Sequence, residues 1–276
     1  MKPPERAPYS RPGLRAAVAG VVVLLTWEAM GRIVGRPALL PWPSHIARVS
    51  FPSLSIFGGA PAPDAWAAAV VVTSQLAITL RRIVTGVVAG TAIGLLLGVA
   101  AFSVAAYCRR EPPLLVLLRS LPLFALIPLF VLWFAGSEMG VSLYIMFSVS
   151  VVVATGTYQA IDNVPSRYLL QARLMGASRA QRLGTVVVPA IVPELMGTMR
   201  NVIGLSWAFS LGAEYAGAPD GLGQLVYLSY TYADMGKLTA LAAIYASSGL
   251  VVYFLWNRAW AGAVGRRWRF SNGGMR

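Results

Sequence analysis

The chain has 276 residues, 57% of them hydrophobic and only 12% charged, with a formal net charge of +13 and a mean hydropathy of +0.65. Soluble domains carry about 25% charged residues, so most of this surface does not face water and a soluble globular domain is excluded. The positive charge is not a nucleic-acid signal, because the arginines cluster at the ends of apolar runs, as positive-inside topology requires.

Residues 1–13 are basic and Pro-rich and read as a disordered cytoplasmic tail. The first transmembrane helix is expected over 14–34. It follows a basic start like a signal peptide, but Glu28 and Arg32 stand where a small-residue cleavage site would be, so the helix is retained. An external Pro/Gly-rich segment follows over 35–75, and its lone His45 reads as exposed. Residues 76–258 are expected to form the core transmembrane domain. Ala65 to Leu80 reads as an interfacial helix leading into a second span over 82–107, with Gly86, Gly90, Gly94 and Gly98 on one face. Small residues at that spacing let helices pack closely in lipid. Cys108 is the single cysteine, which excludes an internal disulfide and a cysteine zinc site.

Arg109, Arg110 and Glu111 make a turn before Pro112 and Pro113. The third span, 114–134, holds Pro122 and Pro128 and is therefore expected to bend toward protein or a pathway. A Gly-Ser-Glu-Met-Gly loop (136–140) precedes the fourth span, 141–161. A polar segment over 162–188 comes next, then a fifth span over 188–213, a Gly-rich loop, and a sixth span over 237–256. The end, 259–276, is a basic cytoplasmic tail. Six spans put both termini on one side. With the termini inside, 16 of the 23 Lys and Arg lie in inner regions and 6 at outer edges, with Arg200 inside the fifth span. That bias places the termini and 162–188 in the cytoplasm and the loop after Glu214 outside.

The most informative stretch is Leu170 to Pro189, a basic interruption between two apolar spans. It resembles the coupling-loop signature of the permease subunits of bacterial ATP-binding-cassette importers: Glu-Ala-Ala, three residues, Gly, nine residues, Ile-x-Leu-Pro. Aligned on Gly176, the Pro falls on Pro189, the Leu on Val188, the Ile on Val186 and the second Ala on Ala172. The Glu is absent, since Leu170 and Gln171 fill the first two positions. The resemblance extends through Leu40-Pro41-Trp42-Pro43-Ser44, Leu80 to Gly98, Arg119-Ser120-Leu121-Pro122, and Trp207 through Gly223. These are similar to segments of the nitrate/sulfonate/taurine branch.

The resemblance implies an all-α membrane protein with six transmembrane helices in the type I ABC importer permease fold. It implies as partners a cytoplasmic ABC ATPase dimer, a second permease subunit forming a homodimer, and an external solute-binding protein. Membrane lipids surround it, and no nucleic acid is expected. Coupling to the ATPase falls on Ala172, Arg173, Gly176, Ala177, Ser178, Arg179 and Pro189. A short helix across the span ends, seated in a partner, transmits motion as a rigid body. The competing reading is a basic loop on lipid.

Ionisable groups at membrane depth usually mark function. Glu214 reads either as a gate at the outer mouth or as a capped interfacial carboxylate. Arg200 faces a water-filled cavity or snorkels, and Ser206, Trp207 and Ser210 are placed near the same translocation pathway. Glu194 is too far along the helix to pair with Arg200. Glu28 reads as a packing partner. Trp42, Trp66, Trp256 and Trp260 read as interfacial anchors. No catalytic constellation, metal site or glycine-rich phosphate loop with Lys-Ser/Thr is present, so the chain is expected to be no enzyme and to bind no cofactor. ATP and Mg belong to the partner ATPase. The expected cargo is a small anion such as a sulfonate, taurine, nitrate or bicarbonate. The alternatives are a vitamin-precursor importer or a secondary transporter. The latter calls for internal repeats and midplane ionisable sites.

Overall fold

The computed structural model describes residues 12–108 and 112–268. The first eleven residues, the Arg109-Arg110-Glu111 turn and the end of the basic tail lie outside the described residues. Every regular element among the described residues is helical. Five helices are long and apolar enough to cross a membrane, and a sixth candidate span is bent by 80°. The chain divides into two compact units, one reaching to Val72 with Leu228–Ala243 added, the other Thr73–Tyr227 with the segment from Ile244.

In the first unit, α1 (Pro12–Val34) is mostly apolar and is followed by Gly35, which has φ 66°. Glu28 accepts from the Arg32 side chain at 2.6 Å and from the Ser44 backbone and hydroxyl at 2.9 and 2.7 Å. The expected packing partner is thus a polar tie between α1 and the short α2 (Pro43–His45). His45 is half-buried rather than exposed, its ring 5.2 Å from that of Trp42. A π-helical turn (Ile46–Ser50) and a 3-10 turn (Pro52–Gly58) complete the 35–75 segment.

Helix α3 (Ala65–Cys108) corrects the expected boundary at Leu80–Arg82. It is one helix of 44 residues, about 66 Å long at 1.5 Å per residue. Its four glycines pack in the second unit against α6 (Glu138–Asp162). A Cβ at Gly94 would stand 2.6 Å from Val153 Cβ and 2.7 Å from the Ser150 carbonyl oxygen, and one at Gly98 would stand 2.5 Å from Thr157 Cβ. The stripe is an interhelical contact. Gly94→Leu is therefore expected to cost about 1–3 kcal/mol through overpacking. Gly20→Leu on α1, where a Cβ meets nothing within 4 Å, is expected to leave the melting temperature unchanged. Equal melting curves for the two variants would show that the close approach carries no weight.

The third span is broken. Helix α4 (Pro113–Ser120) stops, a 3-10 turn (Leu123–Leu126) follows, and α5 (Ile127–Trp133) leaves at 80°. Leu121 precedes proline and is extended, φ −67° and ψ 129°, as the Pro122 ring requires. Pro128 causes no break because it sits in the first turn of α5, where its missing N–H costs nothing. Helix α6 starts at Glu138, three residues before the expected start at 141. The Ser137 side chain accepts from Gly140 N at 3.3 Å and caps it. It is the most buried span and carries the core: Tyr144, Ile145, Val149, Val153 and Ala154 are fully buried. Tyr144 packs edge-on to Phe130 of α5 and to Phe209 of α9 (Val188–Tyr215).

Candidate translocation and coupling sites

After α6, Pro165 starts α7 (Ser166–Leu174). Its Leu169 packs on a cluster made by Ile161, Val164, Val187 and Ile191, which fixes the segment to the span ends on both sides. Gly176 has φ +80°. Its N–H donates to the Arg173 carbonyl, and the Ala177 N–H donates to the Ala172 carbonyl, both at 3.0 Å. That pair of bonds is a Schellman motif, and its left-handed residue favours glycine. Two residues on, the Gln181 N–H donates to Ser178 Oγ at 3.2 Å and the Ser178 N–H donates to Gln181 Oε1 at 2.8 Å. This reciprocal capping box starts α8 (Arg179–Arg182).

The signature spacing therefore has a local cause. Ala172 supplies the carbonyl that closes one helix, Gly176 makes the turn, and Ser178 opens the next. A π-helical turn (Leu183–Val187) leads into α9, with Pro189 in its first turn. Arg173 and Pro189 are exposed and Ala172 and Ala177 half-buried, while the Arg179 side chain lies outside the described residues. At the apex Leu174 is 79% exposed and Met175 86%. A groove of about 430 Å³ runs between this segment and the start of α9, lined by Tyr168, Ala172, Met175 and Pro189 among others. A compact helix–turn–helix thus presents two bare apolar side chains and an adjoining groove.

Glu214 is fully buried. One carboxylate oxygen accepts from Arg82 Nη1 at 3.2 Å and Ser210 Oγ at 3.4 Å; the other accepts from Thr79 Oγ1 at 3.0 Å and the Gly223 N–H at 2.9 Å. Arg82, 1% exposed, also donates to the Asp220 carbonyl at 2.9 Å and to the Asp220 carboxylate. Thr79 Oγ1 accepts from the Leu222 N–H at 3.0 Å, and Gln75 Oε1 from the Gly221 N–H at 2.5 Å. Three side chains at helical spacing on α3 thus grip the end of α9 and the start of α10 (Leu222–Thr231). The carboxylate also sits where a helix start favours negative charge. A Cβ at Gly221, itself at φ 101°, would stand 2.5 Å from the Glu214 carboxyl carbon. Glu214 is thus a buried carboxylate with both oxygens hydrogen-bonded.

Along α9 the expected pathway residues separate. Arg200 is exposed. Ser206, Ser210 and Glu214 are fully buried on one face at four-residue spacing. Trp207 lies on the side of Arg200 but is covered by α11 (Met235–Trp268). Tyr245 stands edge-on at 5.0 Å and its hydroxyl donates to the Trp207 carbonyl at 2.9 Å. Glu194, kept apart from Arg200, accepts from Asn163 at 2.5 Å. Close packing turns Ser206, Trp207, Ser210 and Glu214 into the subunit, and Arg200 alone of these five is exposed.

The geometry can now be set beside known proteins. Residues 90–261 match the model of the binding-protein-dependent transport system inner membrane component. The chain belongs to that family. It is 26% identical over 250 residues to the putative aliphatic sulfonates transport permease protein SsuC of Bacillus subtilis, covering 90% of this chain and 85% of that one. It is 29% identical over 223 residues to the taurine transport system permease protein TauC of Escherichia coli, covering 80% and 78%. A solved chain of the MetNI methionine ABC transporter in an inward-facing conformation superposes with a TM-score of 0.59 at 20% identity, covering 68% of this chain and 94% of that one. The chain is a transport component of ABC type with the permease fold.

Proposed function

We propose that this chain is the membrane-spanning subunit of an ATP-driven importer in the cytoplasmic membrane. It forms the path for a small anion such as a sulfonate, taurine, nitrate or bicarbonate. The observation that carries this reading is the helix–turn–helix at 166–182, anchored at its base and bare at its apex. Such a knob suits a groove in a cytoplasmic ATPase dimer, which binds ATP and Mg and moves the spans when it closes. Leu174 and Met175 supply the apolar contact, and Arg173 reaches acidic groups around it. A second copy of the subunit closes the path opposite Arg200, and a solute-binding protein delivers cargo to the outer loops. The charge bias of the loops supports termini in the cytoplasm.

The test is reconstitution of the complete complex in proteoliposomes. Solute is expected to accumulate only with ATP inside the ATPase-facing compartment, and the loaded binding protein is expected to stimulate hydrolysis. Uptake driven by an ion gradient without ATP would instead establish a secondary transporter.

A further inference from the structure

The broken third span opens a cleft that the buried side chains of α9 do not explain. It has a volume of about 280 Å³ and takes residues from both sides of the break, Arg119 before it and Leu121 after it. Its polar lining comes from three helices: Arg119 on α4, Thr155 and Gln159 on α6, Thr198 and Asn201 on α9. The pairs at four- and three-residue spacing each present a single helix face. At Gly156, also in the lining, α6 and α9 approach so closely that a Cβ would stand 2.5 Å from Thr198 Oγ1. Arg119 is the seventh residue of α4, about 9 Å from its start, and Asn201 is at the middle of the 28-residue α9. The α9 side of the cleft therefore lies midway along a candidate span, and a charged group beside such a position is costly in lipid and marks function.

Resting on the importer reading above, we propose that this cleft is a transient binding site for a small monovalent oxyanion on its way across the membrane. The chemistry of the lining selects it. Arg119 brings a fixed positive charge and a fork of N–H donors matched to paired oxygens. The amides of Gln159 and Asn201 add neutral donors, and neither can be titrated away. The Thr155 hydroxyl donates to the Val151 carbonyl at 2.9 Å, so its oxygen is left as an acceptor for a hydroxyl or ammonium elsewhere on the solute. The remaining lining, Leu121 and Val152 included, is apolar and suits a short carbon chain. Ligand pockets usually begin near about 300 Å³, so this volume fits a solute of a few heavy atoms. Arg200, which lines no part of the cleft, is not the residue that holds the anion.

The test is equilibrium binding of radiolabelled ethanesulfonate to the nucleotide-free complex in nanodiscs, without the solute-binding protein. Wild type is expected to bind saturably, with displacement by nitrate and none by choline. Arg119→Gln is expected to weaken binding by at least about tenfold, because a charge-assisted contact is lost. Arg119→Lys, which keeps the charge, is expected to fall between the two. Should Arg119→Gln fail to assemble, the double variant Gln159→Leu/Asn201→Leu keeps the arginine and is expected to lose affinity by about tenfold through two missing donors. Wild-type affinity in whichever variant assembles overturns the site, as does wild-type complex that binds no ethanesulfonate. ATP-driven uptake by wild type with its partners, measured for ethanesulfonate, taurine, nitrate and bicarbonate, separates the two readings. Uptake together with unaltered variant binding removes the site and leaves the importer. No ATP-driven uptake at all overturns both.

Discussion

Glu214→Ala is expected to destabilise the subunit by about 3–5 kcal/mol, the usual cost of removing one partner from a buried ion pair. The cost comes from what remains. Arg82 would keep its charge at 1% exposure, and the Gly223 N–H and Thr79 hydroxyl would lose their acceptor. Asp220 remains beside Arg82, but its side chain is partly exposed and its carboxylate reaches only Nη2. Arg82→Ala is expected to be similarly harmful, since it leaves a fully buried carboxylate without its counter-charge. The double variant Arg82→Met/Glu214→Met is expected to recover a large part of the loss, because neither charge is then left alone. Melting temperatures of the purified subunit in detergent read all three. A Glu214→Ala variant that melts with wild type, or a double variant no better than the worse single one, would refute a pair that acts as a unit.

That pair also explains the largest error of a one-dimensional reading. Arg81 and Arg82 look like an interface mark, and the sequence pattern stops one helix before them. In the fold neither arginine ends the helix. Arg81 pairs with Glu138 at the start of α6, and Arg82 is neutralised by Glu214 and Asp220. Charge that is cancelled from 132 residues away has no local signature. The clue that was available is the spacing of Gln75, Thr79 and Arg82, polar positions on one face of an apolar helix, at the same membrane side as Glu214.

Features with a local cause were legible. The four-residue glycine period says that a helix must come close, though not which one; that it is α6 depends on contacts between distant segments. Pro122 and Pro128 announce a bend, and only the helix start at Ile127 decides that one of them breaks the span while the other opens a helix. Gly176, Ser178 and Gln181 are readable as a stop followed by a start, since both capping motifs close within a few residues. The inward or outward sense of α9 was not readable. Arg200 and Trp207 lie seven residues apart on the same side, yet one is exposed and the other covered by Tyr245, which is set by α11 and not by period.

Gly176→Arg is expected to abolish stimulation of ATP hydrolysis by the loaded binding protein, by about tenfold or more, while the subunit still folds. A Cβ at Gly176 meets nothing within 4 Å, so no clash disturbs the spans. The left-handed backbone at φ +80° costs a side chain about 1–2 kcal/mol, which falls on the apex and leaves the base cluster around Ile161 and Val187 intact. What changes is the contact surface. A long cation would stand beside Leu174 and Met175, which are almost wholly exposed, and would hold any partner off them. Gly176→Ala separates strain from bulk: it pays the same backbone cost without the charge or the length, and is expected to keep more than half of the stimulation. Hydrolysis by the Arg variant that still rises to the wild-type level on adding loaded binding protein would mean that motion passes between the subunits by another route. An Ala variant as inactive as the Arg variant would assign the effect to the turn itself, with the apex held in one conformation by its glycine and the two capping motifs.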